Sequence, residues 1–217
     1  DSEIRNGTYK IHIATNEQVP GGSEITNTEI FANQNSSYLF NYIGSSDKCT
    51  ATEVITNIEL LDVNSVTNMS YMFSNTGYKA MTSLDLGAKF STANVTDMSY
   101  MFNNTGATAM TALNLEDKFD TSKVENMSHM FTNVGTTAMT SLDLGTKFDT
   151  SKVTDMSYMF SNTGKTAMTT LNIGTKFDTA KVTDMSYMFE NTGATAMTAL
   201  NLGDKFDTKN VENMSHM

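Results

Sequence analysis

Methionine is the residue whose placement most resembles a chemical motif in this sequence. Six Met-x-x-Met pairs begin at Met69, Met98, Met127, Met156, Met185 and Met214. Paired thioethers are soft ligands that suit Cu(I). Methionine is also a flexible side chain that fills irregular gaps in hydrophobic cores. Because each repeat places a pair beside Val and every repeat needs a core, we interpret these pairs as core residues and not as copper sites.

The remaining reactive residue types do not form a catalytic or metal-binding pattern. His129 and His216 have no obvious Ser or Cys nucleophile at a fixed offset, and His12 lies in the alternating pattern YKIHI. Cys49 is the single cysteine, which excludes an intramolecular disulfide and a cysteine zinc cluster. Such a thiol is most often a small buried hydrophobe. With no dense D-x-D-x-D-G calcium loop either, we predict no enzymatic activity, no metal and no cofactor.

A period of 29 residues organises most of the chain. This period separates successive copies of MS(Y/H)M. Residues at the same place in successive repeats form a column, and the three columns headed by Met69, Met72 and Met81 contain all 17 methionines. A second period of 87 residues relates 110–130 to 197–217, which indicates duplication of a block of three repeats. Fixed periods of 20 to 50 residues are typical of repeat proteins whose units stack on one another.

One repeat, residues 139–167, predicts a strand followed by a helix. Met139, Leu142 and Leu144 have the L-x-x-L-x-L spacing of a leucine-rich-repeat strand. Further along, apolar residues recur from Val153 to Phe160 at helical intervals. Thr150 or Ser151 is a candidate N-cap of this helix, and the glycine of SNTG is a candidate C-terminal cap.

These patterns predict an α/β solenoid: a leucine-rich-repeat-like, right-handed stack of 29-residue strand–helix coils. We expect residues 54–217 to form this solenoid of about six coils, truncated at the C-terminus because the sequence stops inside a copy of the repeat. Residues 1–53 contain two strand-like stretches, GTYKIHIAT and SSYLFNYIG. We interpret them as a β-rich N-terminal cap, with a small independent module as the alternative.

The segment LDLGTKFDTSKVTDMSYMF resembles the BspA-like repeats of bacterial surface proteins, also described as Mycoplasma-lipoprotein-type repeats. The resemblance covers residues 55–217 and recurs in every coil, although NTGATAMT expands one loop relative to the usual, shorter repeat. It implies a bacterial cell-surface or secreted protein with a leucine-rich-repeat-like fold, often linked to adhesion. It implies no catalytic residues.

The outward positions of the predicted strands are the candidate ligand-binding residues. They carry small polar side chains, and Asp and Asn alternate at one of these positions through four coils, which keeps like charges apart. Their open face leaves room for a ligand, whereas the alternative is that they only keep the strand soluble. The candidates are Ser83, Asp85, Asn114, Ser141, Asp143, Thr170, Asn172 and Asn201.

Charge and hydropathy narrow the possible partners. The net charge of −10 argues against nucleic acid, and no apolar run is long enough to span a membrane. We therefore predict an extracellular or cell-surface module that binds a host or neighbouring-cell protein or glycan. The alternative is a structural spacer that holds another domain away from the cell. An ice-binding threonine lattice is disfavoured because we expect the Thr82 column to be partly buried.

Overall fold

The computed structural model describes residues 11–12, 30–116 and 118–217. Strands and one 3-10 turn are the regular elements of this part. They are β1 (Ile11–His12), β2 (Ile30–Phe31), β3 (Ile55–Thr56), the 3-10 turn Ile58–Leu60, β4 (Leu61–Asp62), β5 (Ser83–Asp85), β6 (Ala112–Asn114), β7 (Ser141–Asp143) and β8 (Thr170–Asn172). The strands pair in parallel as β1–β3, β2–β4, β5–β6 and β7–β8.

Successive copies of the repeat lie side by side, and each copy is called a coil below. Parallel bridges connect residues at the 29-residue period, namely Asn68, Asp97, Asn126, Asp155, Asp184 and Asn213. The strands keep the same register, since Leu84 of β5 pairs with Leu113 of β6. Each residue therefore contacts its own counterpart in the next coil.

The prediction of an α/β solenoid is wrong. The described residues contain no α-helix, and their strands form separate two-stranded sheets with neither a closed nor a continuous sheet. The fold is β-rich. Residues 157–167, which contain most of the predicted helix, form consecutive turns, so the leucine-rich-repeat-like strand–helix unit is wrong as well.

Backbone hydrogen bonding explains why this segment is not helical. The N–H groups of Met156, Tyr158 and Phe160 donate to carbonyls of the next coil at 2.8–2.9 Å. Between them, the N–H of Met159 donates to the carbonyl of Met156 at 3.2 Å, and the N–H of Ser157 donates to Oδ1 of Asp155 at 2.9 Å. Every second donor is thus used between coils, so a run of α-helical bonds cannot form.

Two residues within these turns have a left-handed backbone conformation. Tyr158 has φ of 58° and Asn162 has φ of 56°, and the same two positions repeat in the other coils. Positive φ is incompatible with a right-handed helix. The turns still bring residues three or four apart to one side, which is why the sequence shows helical spacing without a helix.

The core runs without interruption through the stack. Met156 and Met159 are 0 % exposed, as are their counterparts in the neighbouring coils. Phe102, Phe131 and Phe160 stack on one another with ring centroids 5.5–5.6 Å apart. The interpretation of the methionine pairs as core residues is therefore confirmed for the five pairs from Met69 to Met188, whereas Met214 of the sixth pair is 43 % exposed. Cys49 is also buried in this core.

The N-terminal region agrees with its prediction in one of the two strand-like stretches and differs in the other, where the structure describes them. SSYLFNYIG forms turns rather than a strand, and Phe40 stacks on Phe73 at 5.3 Å in the common core. Asn35 bridges to Asn68 as the coils do. In GTYKIHIAT, β1 is a strand paired with β3. The rest of the predicted cap, residues 1–10 and 13–29, lies outside the described residues, and the boundary at residue 53 stays a prediction.

Candidate functional site on the strand face

The predicted ligand-binding residues share one face of the stack, called the strand face below. Each of the strands β5 to β8 has a buried central Leu between two exposed residues. The exposed members are Ser83, Asp85, Asn114, Ser141, Asp143, Thr170 and Asn172, and Asn201 is exposed at the corresponding place in the next coil. The alternating pattern in the sequence therefore predicted which side chains are exposed, and their role in ligand binding stays a prediction.

A local hydrogen bond fixes the Asp and Asn side chains of this face. The Oδ1 atom of Asp143 accepts the N–H of Gly145 at 2.8 Å, and Asp85 does the same with Gly87 at 2.9 Å. Asn172 and Asn201 accept from Gly174 and Gly203 at 3.1 and 2.9 Å. These Asx turns end the strands. One side-chain oxygen is therefore used locally, and the second polar atom of each side chain is available to a ligand.

Three open depressions lie along the strand face. The first, about 700 Å³, includes Ser83 and Asp85. The second, about 290 Å³, includes Asn114 and Asp143. The third, about 800 Å³, includes Asp143, Thr170, Asn172 and Asn201. The second and third depressions share Asp143, so they join, whereas Ser141 lines none of the three.

Both signs of charge line these depressions. Glu59 and Lys89 line the first depression, Glu116 and Lys147 line the second, and Asp204 and Lys205 line the third. Alternating acceptors and cationic donors suit a hydrated ligand with many hydrogen-bonding groups.

Beside the strand face, a carboxylate recurs two residues after a lysine in successive coils, as in Asp120 after Lys118 and Asp149 after Lys147. Burial raises the pKa of Asp120, but hydrogen bonds from Ser122 and the positive charges of Lys147 and Lys176 outweigh it, so the pKa lies below its ordinary value. The same balance, with Ser151 as the donor, lowers the pKa of Asp149. This edge is therefore ionised at neutral pH and carries both charges.

One threonine column differs from expectation, and a second has a role that was not predicted. Thr111, Thr140, Thr169 and Thr198, which follow Thr82 in its column, are exposed. The expectation that this column is partly buried is wrong, apart from Thr82 itself. A second column, Thr92, Thr121, Thr150 and Thr179, is 0 % exposed. Its hydroxyls connect coils, and the sequence pattern gave no sign of that role.

An asparagine column after the methionine pairs connects neighbouring coils through its side chains. The Nδ2 atom of Asn104 donates to Asn75 at 3.0 Å, and that of Asn133 donates to Asn104 at 2.8 Å. All three residues have positive φ, a conformation that Asn tolerates better than most residues.

The stacking of an aromatic column was not predicted from the sequence, although its positions are periodic. Its seven rings are Tyr38, Tyr71, Tyr100, His129, Tyr158, Tyr187 and His216, called the ring ladder below. Neighbouring centroids lie 4.2–4.6 Å apart. The sequence signal for this stacking is that Tyr and His occupy the same position of the repeat, since both have flat rings that can stack.

Two other kinds of site are absent from the described part of the chain. No group of three or more His, Cys, Asp or Glu side chains there is arranged to hold a metal ion. No helix in that part is long and apolar enough to cross a membrane.

The stacked coils and their open polar face define a β-rich repeat protein. A family model described as "Mycoplasma protein of unknown function, DUF285" matches residues 45–141 and 136–217. The chain belongs to this family. The family lies within the Mycoplasma and BspA-like group of repeat proteins, so the resemblance is confirmed at that level, and membership of a leucine-rich-repeat family is not shown. No curated protein and no solved structure matches the chain.

Proposed function

We propose that this protein is a non-catalytic binding module at a bacterial cell surface or secreted from it. Its strand face holds an extended glycan of a host or neighbouring cell. The observation that carries this proposal is the series of open depressions along the strand face, lined by Asp85, Asn114, Asp143 and Asn172. The family membership supports a bacterial surface-type protein.

A glycan fits the chemistry of this face better than an apolar ligand. Its outward residues are Asp, Asn, Ser, Thr and Ala, and Lys89, Lys147 and Lys205 stand at its margin. Hydroxyl groups of a sugar both donate and accept hydrogen bonds, so they can pair with carboxylate, amide and ammonium groups alike. The Asx turns hold the acceptors in place, which reduces the entropy lost on binding.

A screen of the protein against arrayed glycans and extracellular proteins tests the proposal. We expect a glycan to bind the wild type and to be lost with Asp85→Lys/Asp143→Lys. The matched control is Glu125→Lys/Glu212→Lys, which changes the net charge equally at exposed positions that line none of the three depressions. Equal retention of the ligand by both variants would rule out the strand face.

A spacer that holds another domain away from the cell is the second candidate function. The observation that favours it is the continuous core, in which Phe73, Phe102, Phe131 and Phe160 stack from coil to coil. Such a stack resists bending because each coil contacts its neighbours throughout. A spacer would bind nothing in the screen and would depend only on the number of coils.

A further inference from the structure

The ring ladder lies away from the strand face, on the turn segments, and has its own geometry. The planes of neighbouring rings are within 5° to 12° of parallel. Tyr71 and Tyr100 have centroids 4.4 Å apart, and so have Tyr158 and Tyr187. His129 stands between these two tyrosine pairs, 4.2 Å from Tyr100 and 4.3 Å from Tyr158. The two pairs are thus separated by one imidazole ring.

The backbone at these positions makes the choice of tyrosine unusual. Every residue of the ladder has a φ between 57° and 62°. Bulky residues seldom adopt this conformation, whereas Asn and Gly do so more readily. The chain places Asn at the other left-handed position of the same turns, as at Asn104 and Asn162. Ring stacking is favourable and offsets part of the cost of this backbone conformation. The recurrence of phenol groups at such positions points to a chemical role.

Stacking holds the phenol groups of each tyrosine pair side by side, with ring centroids 4.4 Å apart in both Tyr71–Tyr100 and Tyr158–Tyr187. Partial burial, together with the neighbouring Tyr100, raises the pKa of Tyr71. All four side chains are half-buried, so their edges face solvent. Paired neutral phenols at the surface are suitable substrates for one-electron oxidation.

We propose that the adjacent tyrosines of the ring ladder are sites of oxidative cross-linking between coils. A haem peroxidase takes the O–H hydrogen atom from each phenol and reduces one hydrogen peroxide to two waters. The two phenoxyl radicals join through a bond between the ring carbons ortho to oxygen. The hydrogen on each of those carbons then moves to its oxygen, which restores both phenols. The chain loses two hydrogen atoms for each dityrosine.

Each such bond joins residues one repeat apart. Tyr158 and Tyr187 are 29 positions apart, so the bond closes a loop in the unfolded chain. Closing a loop disfavours the unfolded ensemble, as a disulfide does. Cross-linking therefore stiffens the stack and raises the denaturant concentration at its midpoint of unfolding.

Treatment of dilute protein with horseradish peroxidase and hydrogen peroxide tests this proposal. We expect dityrosine fluorescence in the monomer band and a tryptic peptide joining residues 153–165 to 182–205, two hydrogens lighter than their sum. Free tyrosine, oxidised in parallel, shows that the oxidant is active. With that control positive, a monomer without this joined peptide overturns the proposal.

Two variants take residues that the column already contains, so both preserve the stacked ring. Tyr158→His removes one phenol and should abolish the joined peptide while the Tyr71–Tyr100 bond still forms. His129→Tyr fills the gap and should create new bonds between residues 124–147 and its neighbours 90–118 and 153–165. If His129→Tyr forms no new bond, or if only the exposed Tyr42 reacts, adjacency in the ladder does not direct the coupling.

Discussion

At the scale of single residues, the methionine columns show how much of the core the sequence predicts. Met156 and Met159 were assigned to the core from their period alone, and both are fully buried. Their burial follows from spacing, because three- and four-residue intervals bring side chains to one side in turns as well as in helices. The backbone conformation was not predictable in this way, since it depends on hydrogen bonds to another coil.

Truncation of one core methionine tests the burial directly. Met156→Ala should lower the free energy of unfolding by about 2–5 kcal/mol, because it removes buried atoms and leaves a cavity. Chemical denaturation monitored by circular dichroism measures this change. Met156→Leu, which keeps a similar volume, is the control and should cost less than about 1.5 kcal/mol. A near-zero effect of Met156→Ala would mean that this side chain is not in the core.

His129 gives the residue-scale prediction of pH dependence. Its burial lowers the pKa of the imidazole, although the carboxylate of Asp155 opposes this effect. Tyr100 and Tyr158 cover its two faces, and the Oγ1 atom of Thr132 lies 3.5 Å from Nδ1. The unfolded chain therefore binds a proton more readily than the folded chain. Stability should be complete above the ordinary pKa of about 6.5 and should fall as the pH decreases through that value.

Urea unfolding at about pH 7.5 and about pH 5 measures this dependence in the range where histidine titrates. The control is His129→Tyr, which keeps a stacked ring but removes the titrating group. We expect the wild type to lose more stability than this variant on acidification. Below this range the carboxylates Asp120, Asp149 and Asp184, whose pKa values are lowered, add a further loss in both proteins. Equal losses between the two pH values would contradict the assignment to His129.

At the scale of elements, the strands were predictable and the turn segments were not. Leu142 and Leu144 alternate with polar residues, and that pattern predicted the strand that β7 confirms. From Val153 to Phe160 the same reasoning predicted a helix, whereas the structure has a parallel bridge at Asp155 followed by turns from residue 157. The difference lies in Tyr158 and Asn162, whose positive φ values depend on partners in adjacent coils. A single repeat, taken alone, does not contain that information.

Hydrogen bonds of the buried threonine side chains also connect neighbouring coils. The hydroxyl of Thr150 donates to the carbonyl of Asp178 at 2.8 Å and accepts the N–H of the same residue at 2.7 Å. Thr150→Val keeps the shape but leaves both backbone groups of Asp178 without this partner. We expect a loss of about 1–3 kcal/mol, measured by chemical denaturation. Thr150→Ser retains the hydroxyl and should lose less, and equal losses would contradict a role for the hydrogen bonds.

At the scale of the whole molecule, some columns of the stack connect neighbouring coils, whereas the strand face is proposed to bind a glycan. Asparagine, threonine and ring columns connect coils. The strand face is different because Asp85 and Asp143 use only one oxygen locally and line open depressions. The sequence predicted which residues lie on this face. It could not predict the Asx turns or the depressions, since both depend on the path of the chain after each strand.

The most direct test of the account is the affinity of the glycan found in the screen for the wild type and for Asp85→Asn/Asp143→Asn. Asparagine occupies this position in three other coils, so the variant should fold and keep its Asx turns. It replaces two acceptors with donors on the strand face. Two lost hydrogen bonds predict a decrease in affinity of about tenfold. Unchanged affinity in a folded variant would contradict the strand face as the binding surface.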